Sequence, residues 1–189
     1  MSRFGDMLNK ALSATPPALG FRPATATRPR MVLIAGLEEI SDETAPQSRG
    51  ADAVIFSAGI KAKEAKGLSK ALNVPWGISL GDSPQAAKLA ESSKADFAVF
   101  APSASLDILA VEELGRVMAV EGGLDNALLH GAGELPIEAI YYQRQPQVAV
   151  TWLELMQFRR LADFVAKPLL VPVSPDITPA QLKELWKAG

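Results

Sequence analysis

Apolar residues gather along this chain in seven short runs, separated by longer stretches with a helical pattern. The runs begin near Met31 (MVLIAG), Ala53 (AVIFS), Pro75 (PWGISLG), Phe97 (FAVFA), Arg116 (RVMAVE), Ile137 (IEAIYYQ) and Pro168 (PLLVPVS). The first six starts fall about 19–22 residues apart and the last interval is about 31. A run of this length bounded by turn residues predicts a strand buried on both faces. Between the runs, apolar residues recur at helical spacing. Lys63–Asn73 carries Ala65, Leu68 and Leu72, and Pro84–Ser93 carries Ala86, Ala87, Leu89 and Ala90. Leu124–Leu135 follows Gly122-Gly123, while Val148–Val165 is expected to turn Trp152, Leu155, Met156, Leu161 and Phe164 largely to one side. A last helix, Pro179 to about Lys187, offers Leu182, Leu185 and Trp186 to the core. Ser83 before Pro84 reads as an N-cap with proline at the first helical position, and Thr178-Pro179-Ala180-Gln181 as a capping box. Leu37–Gly50, with Pro46 inside it, has room for one or two turns.

Two of the runs share a spelling. Gly50-Ala51-Asp52-Ala53-Val54-Ile55-Phe56-Ser57 returns about 44 positions later as Lys94-Ala95-Asp96-Phe97-Ala98-Val99-Phe100-Ala101. Runs 1, 3 and 7 are led in by Pro29, Pro75 and Pro168, runs 2 and 4 by Ala-Asp, and run 6 by Ile137-Glu138. Strand–helix alternation at this period implies right-handed crossovers and a parallel sheet, either doubly wound or closed. Odd and even strands that differ systematically favour the barrel, whose interior layers come from alternate strands. The fold class is therefore read as α/β, a TIM-barrel-like parallel (β/α) barrel over residues 31–189. Seven strands are recognisable and the eighth is absent or truncated. In spacing, these residues resemble the small phosphate-binding barrels such as thiamine phosphate synthase and indole-glycerol phosphate synthase. The tail Leu185-Trp186-Lys187-Ala188-Gly189 is similar to the helix end that precedes a last strand in that family. A barrel lacking its eighth strand would leave two strand edges uncovered, runs 1 and 7. The expected cover is the leader, Pro17 to Pro23, or a second copy of the chain.

Residues 1–30 are read as a separate segment. Phe4, Met7, Leu8, Ala11 and Leu12 make the apolar stripe of a short helix, and Pro16, Pro17, Pro23 and Pro29 break the stretch after it into a tether. Its five basic residues, Arg3, Lys10, Arg22, Arg28 and Arg30, face one acid, Asp6, so the leader is basic. Asp6 and the prolines argue against a transit peptide. The whole chain carries a net charge of −2, which recruits neither nucleic acid nor anionic lipid. Composition is 48% hydrophobic and 21% charged, that of a globular protein. Cysteine is absent, so disulfides and thiolate sites are excluded and a cytoplasmic location is expected. No apolar run reaches the ~20 residues that would span a bilayer.

Chemistry in such a barrel sits at the C-terminal ends of the strands. Metal-dependent hydrolysis needs several histidines there, and the one histidine, His130, falls mid-helix in Leu124–Leu135. No metal site is read. No run ends in a lysine that could form a Schiff base, and neither a nucleophile elbow nor a nucleotide-binding glycine pattern is present. Acid–base work by carboxylates survives this elimination. Glu121, ending an apolar strand where partial burial favours a general base, and Asp82, between Gly81 and Ser83, are the catalytic candidates. Lys61, Glu38, Gln143 and Ser174 are the substrate-binding candidates, Lys61 as an anion anchor. Glu121 opening the turn into Gly122-Gly123 and Asp82 as a plain turn residue are the structural alternatives. Gly122-Gly123 before a helix could also present amides to a phosphate. The loop after run 7, Val173-Ser174-Pro175-Asp176-Ile177, lacks the glycines with which phosphate-binding barrels grip their ligand. The readings that stand are a lyase or isomerase for a small anionic metabolite, a binding or scaffold barrel that self-associates, and a truncated barrel inactive by itself. No cofactor follows from the residues.

Overall fold

The computed structural model describes residues 2–13, 31–38, 48–57, 63–64, 67, 70–71, 73–144 and 150–189. Its strands are β1 (Ile34–Leu37), β2 (Ala53–Ser57), β3 (Trp76–Gly81), β4 (Phe97–Phe100), β5 (Gly115–Val120), β6 (Ala139–Tyr142) and β7 (Leu169–Leu170). The sheet order is β1-β2-β3-β4-β5-β6-β7, simple succession. A doubly wound sheet would reverse direction part-way, so the order is that expected of a (β/α) barrel. The β1–β2, β2–β3, β5–β6 and β6–β7 pairs are parallel.

The described helices are α1 (Arg3–Ser13), α2 (Ala86–Ser93), α3 (Asn126–Glu134), α4 (Trp152–Phe164) and α5 (Pro179–Ala188). Lys63, Glu64, Gly67, Lys70 and Ala71 are also helical, within the expected Lys63–Asn73 segment. Between β4 and β5 the connection is a single 3-10 turn, Leu106–Ala110, capped by Ser105. The tether and the expected cover, Pro17 to Pro23, lie outside the described residues.

The chain divides into two compact units. The first holds α1, β1, β2, nearly all of β3, α2, the start of β4 and the 3-10 turn. One side of its sheet is a cluster of Val54, Phe56 and Trp76 joined by Ala35, Leu37, Val74 and Ala95. The register Leu37↔Phe56 and Val54↔Trp76 puts these residues on one face, as the period of two requires. Gly77 points the other way, and there the Phe97 ring fills the space that a side chain would take. A Cβ at Gly77 would stand 2.3–2.5 Å from three ring carbons. Phe4 of α1 stacks on Phe97 with centroids 4.0 Å apart, and both rings are wholly buried. Ser2 Oγ caps α1 by accepting from Gly5 N (3.0 Å). Leu8 is buried with Phe4, whereas Leu12 stays 62% exposed, so the expected apolar stripe docks only through its first two turns.

This unit also explains the repeated Ala-Asp spelling. Asp52 N donates to Leu33 O (2.8 Å) while the Asp52 carboxylate accepts from Leu33 N (3.0 Å). Asp96 does the same to Trp76, at 2.8 and 2.9 Å. Asp96 satisfies the first N–H of β3 and Asp52 that of Leu33, one residue before β1, amides that would otherwise lie open at the sheet's end. The left-handed residues Gly50 (φ 89°) and Lys94 (φ 56°) bring the chain round to that position. Asp96→Ala is expected to cost about 1–2 kcal/mol, since it orphans a half-buried amide. Asp52→Ala, at a more exposed bond, should cost less in the same urea titration.

The second unit holds Gly81–Ser83, Val99–Ala104 and Arg116–Gly189, with α3, α4 and α5. α4 packs against both α3 and α5. Its N-cap is Thr151, whose hydroxyl accepts from Glu154 N, and Glu154 closes a capping box. The face it buries is Glu154, Phe158 and Leu161, followed by Val165. This differs from the expected stripe: Trp152 is 83% and Met156 67% exposed. The cause is Arg144, after β6, which recruits Glu154 inward and so fixes the rotation of the helix. α5 keeps the expected capping box of Thr178 and Gln181 but buries no residue fully. α2 starts at Ala86 after a turn at Pro84 and Gln85, two residues beyond the expected start.

Candidate functional site

The C-terminal strand ends of the second unit carry four of the six predicted residues: Asp82, Glu121, Gln143 and Ser174. β5 and β6 pair with Ala119 opposite Tyr141 and Val120 opposite Tyr142, and Gln143 N continues the ladder to Val120 O (2.8 Å). Glu121 and Gln143 thus occupy neighbouring positions one step past the last pair. Both are exposed, so the partial burial expected of Glu121 is not found. Its carbonyl accepts from Leu124 N (3.2 Å), opening the Gly122-Gly123 turn. Asp82 is likewise exposed, in the turn after Gly81, whose φ of 56° is left-handed. Ser174 is buried, and its Oγ accepts from Asp176 N (3.3 Å) while its carbonyl accepts from Ile177 N (3.1 Å). That hydroxyl shapes the loop after β7.

Glu38 belongs to the first unit, exposed at the end of β1, where its carbonyl accepts from Ser57 Oγ (3.2 Å). Lys61 lies outside the described residues. His130 is exposed at mid-helix on α3. Among the described residues no three His, Asp or Glu side chains come together as a metal site.

Around this end of β5 and β6 the second unit is held by two arginines. Arg160 reaches from α4 to Gly122 O (2.9 Å), to Leu124 O and to Asn126 Oδ1 (2.6 Å). The Gly122-Gly123 turn is therefore committed to Arg160 through its carbonyls. Asp125, the N-cap of α3, accepts from Ala127 N (2.8 Å) and sets a carboxylate where a phosphate would approach. At this turn the Asp125 carboxylate opposes an anion, while the Arg160 guanidinium beside it favours one. Arg144 donates from Nε and Nη2 to Pro172 O (3.2 and 3.0 Å), ion-pairs with Glu154, and lies 5.4 Å over the Phe158 ring. Burial lowers its pKa and Tyr142 opposes that, but a guanidinium stays charged. It ties the loops after β6 and β7 to the start of α4.

One residue of this region was not singled out by sequence reasoning. Tyr142 points to α4, meeting Phe158 edge-on at 5.4 Å and donating to Gln157 Oε1 (2.7 Å). Gly122 leaves room for it: a Cβ there would stand 2.7 Å from the Tyr142 hydroxyl. Its neighbour Tyr141 must then point to the opposite face, between Ala119 and Leu170 on the flanking strands. Tyr141 is half-buried, its hydroxyl makes no hydrogen bond with a described residue, and its phenol pKa is raised by burial. The signal was the Tyr-Tyr pair itself, since a period of two sends one ring to each side.

Two cavities of about 310 and 660 Å³ lie elsewhere, in the first unit, where α1 meets Asp52, Pro75 and Asp96 at the strand starts. In barrels of this order the N-terminal ends serve stability, so the cavities do not displace the C-terminal site.

No protein-family profile and no curated protein matches the chain by sequence. Solved structures do. Thiamine phosphate pyrophosphorylase from Pyrococcus furiosus superposes with a TM-score of 0.60 at 14% identity, over 84% of this chain and 82% of that one. Phosphoribosyl anthranilate isomerase from Thermus thermophilus gives 0.60 at 15% identity, over 84% and 83%. The fold is TIM-barrel-like. At this identity the likeness carries the fold and nothing of the activity. Among the described residues, no helix is long and apolar enough to cross a membrane.

Proposed function

We propose that the protein is an isomerase or lyase acting on a small anionic metabolite by carboxylate acid–base chemistry. Glu121 is the base, and Asp82 the second acid–base group. Gln143 orients the substrate and Ser174 shapes the loop beside it. The observation that carries the reading is the placement of Glu121 and Gln143 side by side past the C-terminal ends of β5 and β6, where parallel α/β folds bind their ligands. Of the two superposable proteins one is named as an isomerase, the other as a pyrophosphorylase; they support the fold that carries such a site and leave the reaction class to the test below. Lys61 and Glu38 remain anion-anchor and binding candidates on sequence grounds.

The test is thermal shift with phosphorylated and carboxylated metabolites on the wild type, Glu121→Gln and Lys61→Ala. A saturating ligand at 100 times its Kd raises stability by about 2.7 kcal/mol, a shift that Glu121→Gln should reduce by more than half. Identical shifts in all three proteins would remove the proposed site.

One observation favours a self-associating binding barrel instead. Trp152, Leu153 and Met156 stand 83%, 64% and 67% exposed on α4. Together they present roughly 400 Å² of apolar surface, the size that marks interfaces and half of what one partner contributes to a standard one. The occupant under this reading is a second copy of the chain. A sedimentation dimer that Trp152→Ser dissolves, with no ligand shift, selects it.

A further inference from the structure

We infer that Tyr141 is a neutral hydrogen-bond donor of the second unit's site, aimed at an anionic oxygen of the bound metabolite, a carboxylate or a phosphate. The inference rests on the site proposed above and adds the group that receives the substrate's charge. Three observations support it. The register places Tyr141 on the face turned away from α4, two residues before Gln143 on β6 and across from Ala119, which precedes Val120 and Glu121 on β5. The directly paired side chains on that face, Ala119 and Leu170, carry no polar group, so neither takes up the hydroxyl. Tyr142, the adjacent phenol, is engaged with Gln157 and Phe158, whereas the Tyr141 hydroxyl makes no hydrogen bond with a described residue.

A half-buried phenol on the same sheet face as Glu121, its hydroxyl bonded to no described residue, has a limited range of uses. Burial keeps the proton on Tyr141, so it donates a hydrogen bond to substrate and does not act as a base. Glu121 next to it is a poor receiver of an anion by itself. A donor at Tyr141 offsets that repulsion and holds the substrate's charge below the position where Glu121 works, with the Gln143 amide donating from the same strand end. The division of labour is then a base, Glu121, and a proton-retaining anchor, Tyr141.

The chain has two tyrosines, so Tyr142→Phe leaves Tyr141 as the sole phenol, while keeping the ring that packs on Phe158. In that full-length variant, labelled at the tyrosine ring, the Cζ resonance is followed as inorganic phosphate and, separately, malonate is added. Saturation with one of them should move Tyr141 Cζ, and Tyr141→Phe in the wild-type background should weaken that anion's binding about tenfold while leaving the fold intact. The arm that responds identifies the anion as phosphate or carboxylate. If an anion shifts the Glu121 and Gln143 amides but leaves Cζ unmoved and binds Tyr141→Phe equally well, the role of Tyr141 is overturned and the site stands. If neither anion moves any of the three residues, both fall.

Discussion

Gly77→Ala is expected to destabilise the protein by about 3 kcal/mol, at the upper end of what one added methyl does in a packed core. The new Cβ would meet Phe97 ring carbons at 2.3–2.5 Å, and Phe4, stacked on that ring at 4.0 Å, limits where the ring can move. Strand, ring and helix form one three-layer contact, in which β3 supplies the hollow, β4 the ring and α1 the cover. Urea titration should show the loss. The second substitution Phe97→Leu should return more than half of it, because the narrower side chain vacates the clash. Phe97→Leu by itself should be destabilising, so the pair must show strong non-additivity. Simple additivity would mean that Gly77 is small for another reason.

Removing the charge of Arg144 is the second large effect. Arg144→Met should cost about 3–5 kcal/mol, because Glu154 is then left buried without its counter-ion. The two side chains are 9% and 11% exposed. Glu154 would keep only the Thr151 amide (2.7 Å) and hydroxyl (3.2 Å), and Pro172 O would lose both guanidinium donors. Replacing both partners, Arg144→Met with Glu154→Leu, should recover most of the loss, since a buried pair exchanged for apolar groups is often near neutral. If the double variant is no more stable than the single one, the bonds to Pro172 O carry the contribution instead. Chemical denaturation of the three variants separates these cases.

Strand positions were legible because each strand is a short apolar run with its own boundary signal, and β2 begins and ends where the pattern places it. The sequential order was inferred from the alternating lead-ins. The physical content of that alternation proves local: Asp52 and Asp96 fasten the first amides of β1's lead-in and of β3. The orientation of α4 was not legible. Hydrophobicity pointed Trp152 and Met156 inward, but the helix turns on Glu154, a charged residue whose burial makes sense only once Arg144 is beside it in space. Such a pairing across 10 positions leaves no periodic trace. The 3-10 turn Leu106–Ala110 was missed for a related reason, since it is too short to show a helical stripe.

The candidate site divides in the same way. Glu121 and Gln143 could be found because each follows an apolar run directly, and the ladder bond from Gln143 N to Val120 O makes them neighbours. Tyr141 could not be separated from Tyr142 until one was seen to face α4. Ser174 was chosen for its position after run 7. Its burial and its bond from Asp176 N give it a loop-shaping role that composition does not reveal.

The proposed chemistry requires an anion bound in the second unit, on the sheet face away from α4, beside Tyr141, Glu121 and Gln143. A crystal structure of the full chain soaked in malonate and in phosphate would locate it. The expected result is density for one of these anions within hydrogen-bond distance of the Tyr141 hydroxyl and the Gln143 amide. Density found instead in the first unit, against Arg3 and Lys94 at the strand starts, with the Tyr141 face unoccupied at saturating anion, would contradict it.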